Sequence, residues 1–151
     1  MRRFEPFERN DLVLMRVVLD TNILISALIV PGGAPDILYQ AWRIGRFTLV
    51  TSEEQLNEFR RVSRYPRLRP FIQPAAAGTM LNELKLLADT LVELPSVDVS
   101  RDPADNFLLA MAVAGRADYL VTGDKGDVLH LSRYQQTRIV SARQMVGLLR
   151  V

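Results

Sequence analysis

Apolar positions along this chain switch between a short, strand-like spacing and a helical one, and the order of the switches predicts an architecture. Arg16-Val-Val-Leu-Asp20 is a β-branched run that stops abruptly at Asp20-Thr21-Asn22, after which Ile23 to Val30 is apolar again. Pro31-Gly32-Gly33 has the composition of a turn. From Ala34 to Arg46, Ile37, Leu38, Ala41 and Trp42 fall at helical spacing, with Gly45 near the end. Phe47 to Val50 reads as a short buried strand. Ser52 is placed to N-cap a helix reaching about Arg64, with Glu54 in its first turn. Tyr65 to Pro70 is a basic loop broken by prolines.

The second half repeats the alternation. Residues 75–92 predict a longer helix with Met80, Leu81, Leu84, Leu87, Ala88 and Leu91 on one side, stopped by Pro95, and Val97-Asp98-Val99 predicts a short strand. Asp102-Pro103 starts a helix in the preferred way, an Asp N-cap followed by Pro at the first helical position. Phe107 to Ala114 is apolar on every side, which predicts a helix buried in the middle of the fold and ended by Gly115. Tyr119 to Thr122 is a strand, Gly123 to Gly126 a loop, Arg138 to Val140 a strand, and Ser141 to Leu149 a capped helix. Strands alternating with helices predict a mainly parallel sheet covered on both faces, a three-layer α/β/α sandwich.

Composition narrows the chemistry. The chain has 151 residues, no cysteine and a single histidine, His130. Disulfides, thiolate nucleophiles and cysteine metal sites are excluded, and His130 reads as a surface residue with no partner for base catalysis. No apolar run approaches the roughly 20 residues of a membrane span. The charged N-terminus has no apolar signal-peptide region, so a cytoplasmic protein with no membrane partner is expected. Net charge is +2, from 19 basic and 17 acidic residues. If four acids are pooled at one site, the remainder is strongly basic, which suits a polyanion approached through metal ions.

The acids are placed for such pooling. Asp20 and Asp124 each follow a strand at its carboxyl end, the edge where open parallel sheets form ligand crevices. Asp102 and Asp105 open the buried helix. Glu58 lies at the edge of the stripe made by Leu56, Phe59 and Val62, with Glu54, one turn earlier, as its rival. Each has a plainer reading as a turn former, helix cap or dipole partner. If four converge, their repulsion calls for cations, and carboxylates without His or Cys select Mg²⁺ or Mn²⁺. Paired ions of this kind activate water and stabilise the leaving oxygen in phosphodiester cleavage.

Four stretches carry a resemblance: Val17-Val-Leu-Asp20-Thr-Asn22-Ile-Leu-Ile-Ser26, Ser52-Glu-Glu-Gln-Leu-Asn-Glu58-Phe, Arg101-Asp102-Pro-Ala-Asp105-Asn106, and Ala117-Asp-Tyr-Leu-Val-Thr122-Gly-Asp124-Lys. In order and spacing they resemble a PIN-domain protein of the toxin-type, VapC-like branch, over about Val17 to Leu149. The resemblance implies that Asp20, Glu58, Asp105 and Asp124 form the acidic catalytic and metal-binding cluster. Thr122 and Asn22 support it, and Asp102 and Asp127 are further acids within reach. It implies a ribonuclease holding one or two Mg²⁺ or Mn²⁺ ions, cutting single-stranded RNA, paired with an antitoxin and forming a homodimer. Residues 1–14 have no counterpart in the pattern: either they are an N-terminal extension ahead of a nuclease domain over 15–151, or the natural start is Met15, directly before the first strand.

Seven arginines and three acids lie between Arg43 and Arg69, with Phe47 and Tyr65 interleaved. Arg60, Arg64 and Arg67 are the candidate RNA contacts, since arginine binds phosphate and stacks on bases; the plainer reading is a solvated face. Two other functions compete: a PIN-like scaffold that binds RNA or a partner without cutting, and a phosphatase using Asp20 as nucleophile. The second favours an Asp two positions on, where this chain has Asn22. No G-x-x-x-x-G-K-[ST] loop exists, which lowers any NTPase reading.

Overall fold

Val17, Val18 and Leu19 are all buried, which only a strand covered on both faces allows. The computed structural model describes residues 14–123 and 127–151 and places these three in β1 (Arg16–Leu19), at the centre of the sheet. The extension expected over 1–14 falls outside the described residues except for Leu14, as do Asp124 and the side chain of Asp127.

Helices α1 (Thr21–Ile29) and α2 (Ala34–Arg43) follow, then β2 (Thr48–Ser52) and α3 (Glu53–Val62). A 3₁₀ turn at Pro66–Leu68 leads to α4 (Pro74–Leu87) and β3 (Asp89–Leu91). The chain continues through α5 (Pro103–Ala114), β4 (Tyr119–Thr122), α6 (Asp127–Leu131), β5 (Arg133–Tyr134), β6 (Thr137–Ser141) and α7 (Ala142–Leu149). The strand order is β3-β2-β1-β4-β6-β5, parallel throughout except for the antiparallel β5–β6 pair.

Alternation along the strands divides the core in two. Val17, Leu19, Leu49, Val121 and Val140 pack with residues of α1, α2, α3, α4 and α7. Val18, Val50, Leu120 and Ile139 point the other way, onto Leu108, Leu109, Met111 and Ala112 of α5 and Val128 of α6. This is the expected three-layer sandwich. Among the described residues no single helix is long and apolar enough to cross a membrane. Helices α1 and α2, apolar enough only as a pair, meet at 100° and are spent on the first core face.

Several local expectations need correction. The helix expected over 75–92 ends at Leu87, and Asp89–Leu91 pairs in parallel with Val50–Ser52. Leu87, placed on the apolar stripe by its spacing, is 62% exposed. The open edge of β2 takes Asp89 to Leu91 as a strand, a tertiary choice that helical periodicity cannot register. Val97–Val99 is not a strand: Asn106 Oδ1 accepts from Val99 N at 3.0 Å and Ser100 N at 2.8 Å, tying the segment to α5 instead of to a sheet. The helix that begins at Ala34 stops at Arg43, three residues early, and Gly45 takes the left-handed conformation (φ +84°) beyond it. Helix α6 and strand β5 have no counterpart in the expectations.

Gly115 marks the tightest helix–sheet approach. A Cβ there would lie 2.5 Å from Val50 Cγ1 and 3.0 Å from the Met111 carbonyl oxygen, while the Gly115 carbonyl accepts from Arg16 Nε at 2.7 Å. Gly115→Ala therefore forces α5 off β2, and such overpacking costs about 1–3 kcal/mol. Urea unfolding should show a lower midpoint with an unchanged slope; a wild-type midpoint would mean that this contact yields freely.

Candidate active site

Parallel strands β1 and β4 end side by side, and the chain leaves β1 for β2 on one flank while β4 lies on the other. That reversal of strand order opens a crevice at the carboxyl ends of the strands. Asp20 follows β1 there. Its backbone N–H continues the ladder to the Val121 carbonyl at 2.9 Å. Asp20 also caps α1, Oδ1 accepting from Asn22 N at 3.1 Å, while Oδ2 accepts from the Thr122 hydroxyl at 3.0 Å. The plain cap reading and the cleft position hold for the same residue.

The cleft has a volume of about 390 Å³, and Asp20, Glu58, Asp105, Asp102 and Thr122 line it together with Thr21 and Asn22. Glu58 comes from α3 and Asp105 from the first turn of α5. Glu54 instead borders a separate groove with Pro95, Pro103 and Phe107, so of the two rival glutamates the structure brings Glu58 to the other acids. Asp102 is the N-cap of α5, accepting from Ala104 N at 2.9 Å. Asn22 is exposed, with its backbone turned to Asp20. His130 is exposed on α6.

Sequence reasoning missed the polar groups beneath these acids. Gln55, 1% exposed, receives the Thr51 hydroxyl on Oε1 at 2.6 Å and donates from Nε2 to the Leu19 carbonyl at 2.7 Å and to Thr21 Oγ1 at 3.3 Å. The Thr21 hydroxyl in turn donates to Glu58 Oε1. A chain of hydrogen bonds thus runs from β2 through α3 to the strand end that carries Asp20. The available signal was a glutamine on the buried stripe with Leu56 and Phe59. Ser100, whose hydroxyl donates to Asp105 Oδ2 at 3.0 Å, sits in an irregular segment and carried no local signal.

Electrostatically the cleft is a focus of negative charge. Burial is the largest influence on Asp20 and raises its pKa above the ordinary 3.8. The bonds from Asn22 and Thr122 oppose the rise, and the charges of Glu58 and Asp105 add to it. Among the described residues no Lys or Arg forms an ion pair with Asp20, Glu58 or Asp105. Also among them, no three acidic or histidine groups close on one point as a ready ligand cage. The all-oxygen donor set still fits Mg²⁺ or Mn²⁺, because Mg²⁺ is commonly held by one or two carboxylates and keeps several waters.

The candidate RNA-binding arginines divide. Arg60 and Arg64 border a groove on another side of α3, whereas the Arg67 guanidinium lies over the Tyr65 ring, 5.7 Å from its centroid, and does not line that groove.

A family model described as PIN domain matches residues 16–126, a span that includes all four motif stretches. The chain is also 30% identical over 124 residues to the uncharacterized protein MJ1680 of Methanocaldococcus jannaschii, the alignment covering 78% of this chain and 76% of that protein.

Two outcomes test this description. The folded state holds the Asp20 proton more tightly than the unfolded chain does, so between 3.8 and the higher folded value it binds the extra proton. Stability then falls as pH rises through that window, and the full penalty is present above it. Asparagine can accept from Asn22 N and donate to Thr122, so metal-free Asp20→Asn should melt at or above wild type at pH 7. The difference should shrink on acidification through the window; a mutant melting several degrees lower at pH 7 would show that the cap outweighs desolvation. Gln55→Leu leaves the Thr51 hydroxyl and Leu19 carbonyl without their partner and should cost about 2 kcal/mol or more in urea unfolding. A neutral result would mean that water replaces the amide.

Proposed function

The chain belongs to the PIN domain family, and from that premise we propose that it is a metal-dependent endoribonuclease that cuts single-stranded RNA in the acidic cleft. The observation that supports this reading is the convergence of Asp20, Glu58 and Asp105 on one crevice with oxygen donors only. In the same reading Asp124 completes the cluster, and the protein acts as a homodimeric toxin restrained by an antitoxin, as the four motif stretches imply. When bound, Mg²⁺ or Mn²⁺ lowers the pKa of an attacking water and offsets the charge that builds on the phosphate oxygens.

The residues of the chain do the positioning. Asp20, Glu58 and Asp105 would hold the ion between them, one or two directly and the rest through its waters, each carboxylate already oriented by a neutral hydroxyl: Thr122, Thr21 and Ser100 respectively. Neutral donors fix direction without cancelling charge, so the negative potential that draws a cation survives. Without a cation the same potential repels a phosphodiester. Substrate therefore enters the cleft productively only with the ion in place. No side chain is required as a covalent nucleophile, which separates this mechanism from an Asp20-based phosphatase.

Purified protein incubated with a mixed single-stranded RNA pool should cut it endonucleolytically with Mg²⁺ or Mn²⁺ and not in excess EDTA. Glu58→Gln and Asp105→Asn should each lower turnover by about 10²-fold or more, while Glu54→Gln keeps wild-type turnover. Undiminished cutting in EDTA would exclude the metal mechanism. A dead Glu54→Gln beside an active Glu58→Gln would move the site.

A further inference from the structure

Helix α3 separates two surfaces of opposite character. Glu58 and Val62 line the acidic cleft. Phe59, Arg60, Ser63 and Arg64 line a second cavity of about 390 Å³ between α3 and α4, with Ile72 and Leu81 closing its apolar floor and Arg69 joining Arg60 and Arg64 at its rim. Among the described residues none of these three arginines forms an ion pair. Gly78 borders the same groove from within α4. Glycine is the poorest helix residue after proline, yet its φ is not positive and a Cβ at 78 would meet nothing within 4 Å. Neither backbone conformation nor internal packing accounts for glycine at this position. What a side chain there would do is narrow the groove.

We propose that this groove is a nucleobase subsite: an unstacked base of the bound strand enters against the α4 backbone at Gly78, and its flanking phosphates rest on Arg60, Arg64 and Arg69. The proposal rests on the nuclease reading of the acidic cleft. A purely anionic ligand has no use for an apolar floor, and a purely apolar one has no use for three guanidinium groups. A flat, uncharged ring on an anionic backbone uses both, and guanidinium planes stack on bases as well as pairing with phosphate. An acidic peptide with one apolar residue shares part of this chemistry. The nucleic acid is favoured because α3 is a common wall: a strand crossing it presents a phosphodiester to the acids on one side and a base to the groove on the other.

The test uses the full-length protein in EDTA, where binding is read without turnover. The probes are a fluorescent single-stranded RNA 12-mer of mixed sequence and an abasic ribose-phosphate oligomer of equal length, followed by anisotropy over a range of salt. Wild type should prefer the base-bearing oligomer at least about fivefold. Gly78→Leu should lose that preference and keep its salt slope, since no charge changes. Arg69→Ala should weaken binding of both oligomers and reduce the slope by roughly 0.7. Equal binding of the two oligomers by wild type, or a preference retained by Gly78→Leu, overturns the subsite. So does displacement of the RNA by an oligoglutamate peptide from wild type but not from Gly78→Leu, which would assign the groove to a protein partner. Circular dichroism checks that Gly78→Leu is folded; if it is not, Gly78→Ala and Leu81→Trp carry the same comparison. Because no metal or turnover enters the assay, its failure leaves metal-dependent cleavage standing. Conversely, cleavage that persists in EDTA shows as a decay of the 12-mer's anisotropy with time. The base preference is then read on 2′-O-methyl versions of the two oligomers, which cannot be cut through the 2′-hydroxyl, with intact length checked by gel.

Discussion

Past Arg16 at its start, β1 is wholly apolar, and Asp20, the first residue beyond its end, is the next that can carry charge; the rest of the site is arranged around that fact. The strand before it is covered on both faces, with Val17, Val18 and Leu19 all buried, so a carboxylate becomes tolerable only where the strand ends. The register of β1 on β4, Leu19 against Val121, then sets Thr122 alongside it, and the hydroxyl-to-carboxylate bond follows from the pairing. Any slip in that register would move Thr122 away and turn apolar side chains toward the wrong layer. Packing on both faces of the sheet thus fixes where the acid stands, to a precision that a surface loop would not supply.

Holding the acids together has an energetic cost that the structure offsets only in part. Hydrogen bonds to a charged group contribute about 1.5–3 kcal/mol each, and Asp20 receives two. Burial nevertheless wins over them, since its pKa rises. Glu58 and Asp105 are steadied by hydroxyls in the same way, and among the described residues no cationic side chain neutralises any of the three. A protein selected only for stability would place a lysine or arginine here. Leaving the charge uncompensated keeps the cleft receptive to a small hard cation, whose compact double charge answers several carboxylates at once.

The alternation of strand and helix was legible because each buried strand is a short β-branched run and several helices announce their starts. Ser52 and Ser141 accept from the third residue of their helices, and Asp102 precedes Pro103. Elements decided by distant partners were not legible. Asp89–Leu91 is a strand because β2 offers an edge, and the β5–β6 hairpin turns at Gln135 with φ +52°, where no glycine or asparagine marks the bend. At the site, the strand-end and helix-start positions of Asp20 and Asp105 could be read locally, and the helical wheel left Glu58 and Glu54 as rivals. What decided their placement was Thr21 reaching Glu58 across 37 residues of sequence. Ser100 beside Asp105 depends on a loop whose course is set by Asn106, and no periodicity encodes that.

Helix α3 shows why charge alone is a poor guide to function and where the guide improves. Glu53 and Glu54 stand in its first turn and Arg60 and Arg61 in its last, an order that favours the helix dipole by about 0.3–1 kcal/mol per group at exposed positions. Those arginines therefore have a structural reason to be where they are, whatever else they touch. Arg69 lies beyond the helix and outside the reach of its dipole, and Gly78 sits in a different helix where it lowers rather than raises stability. Both border the groove that Arg60 and Arg64 also border. The proposed base subsite therefore rests on residues that helix stability does not explain, gathered at one cavity beside the acidic cleft, and not on basic charge alone.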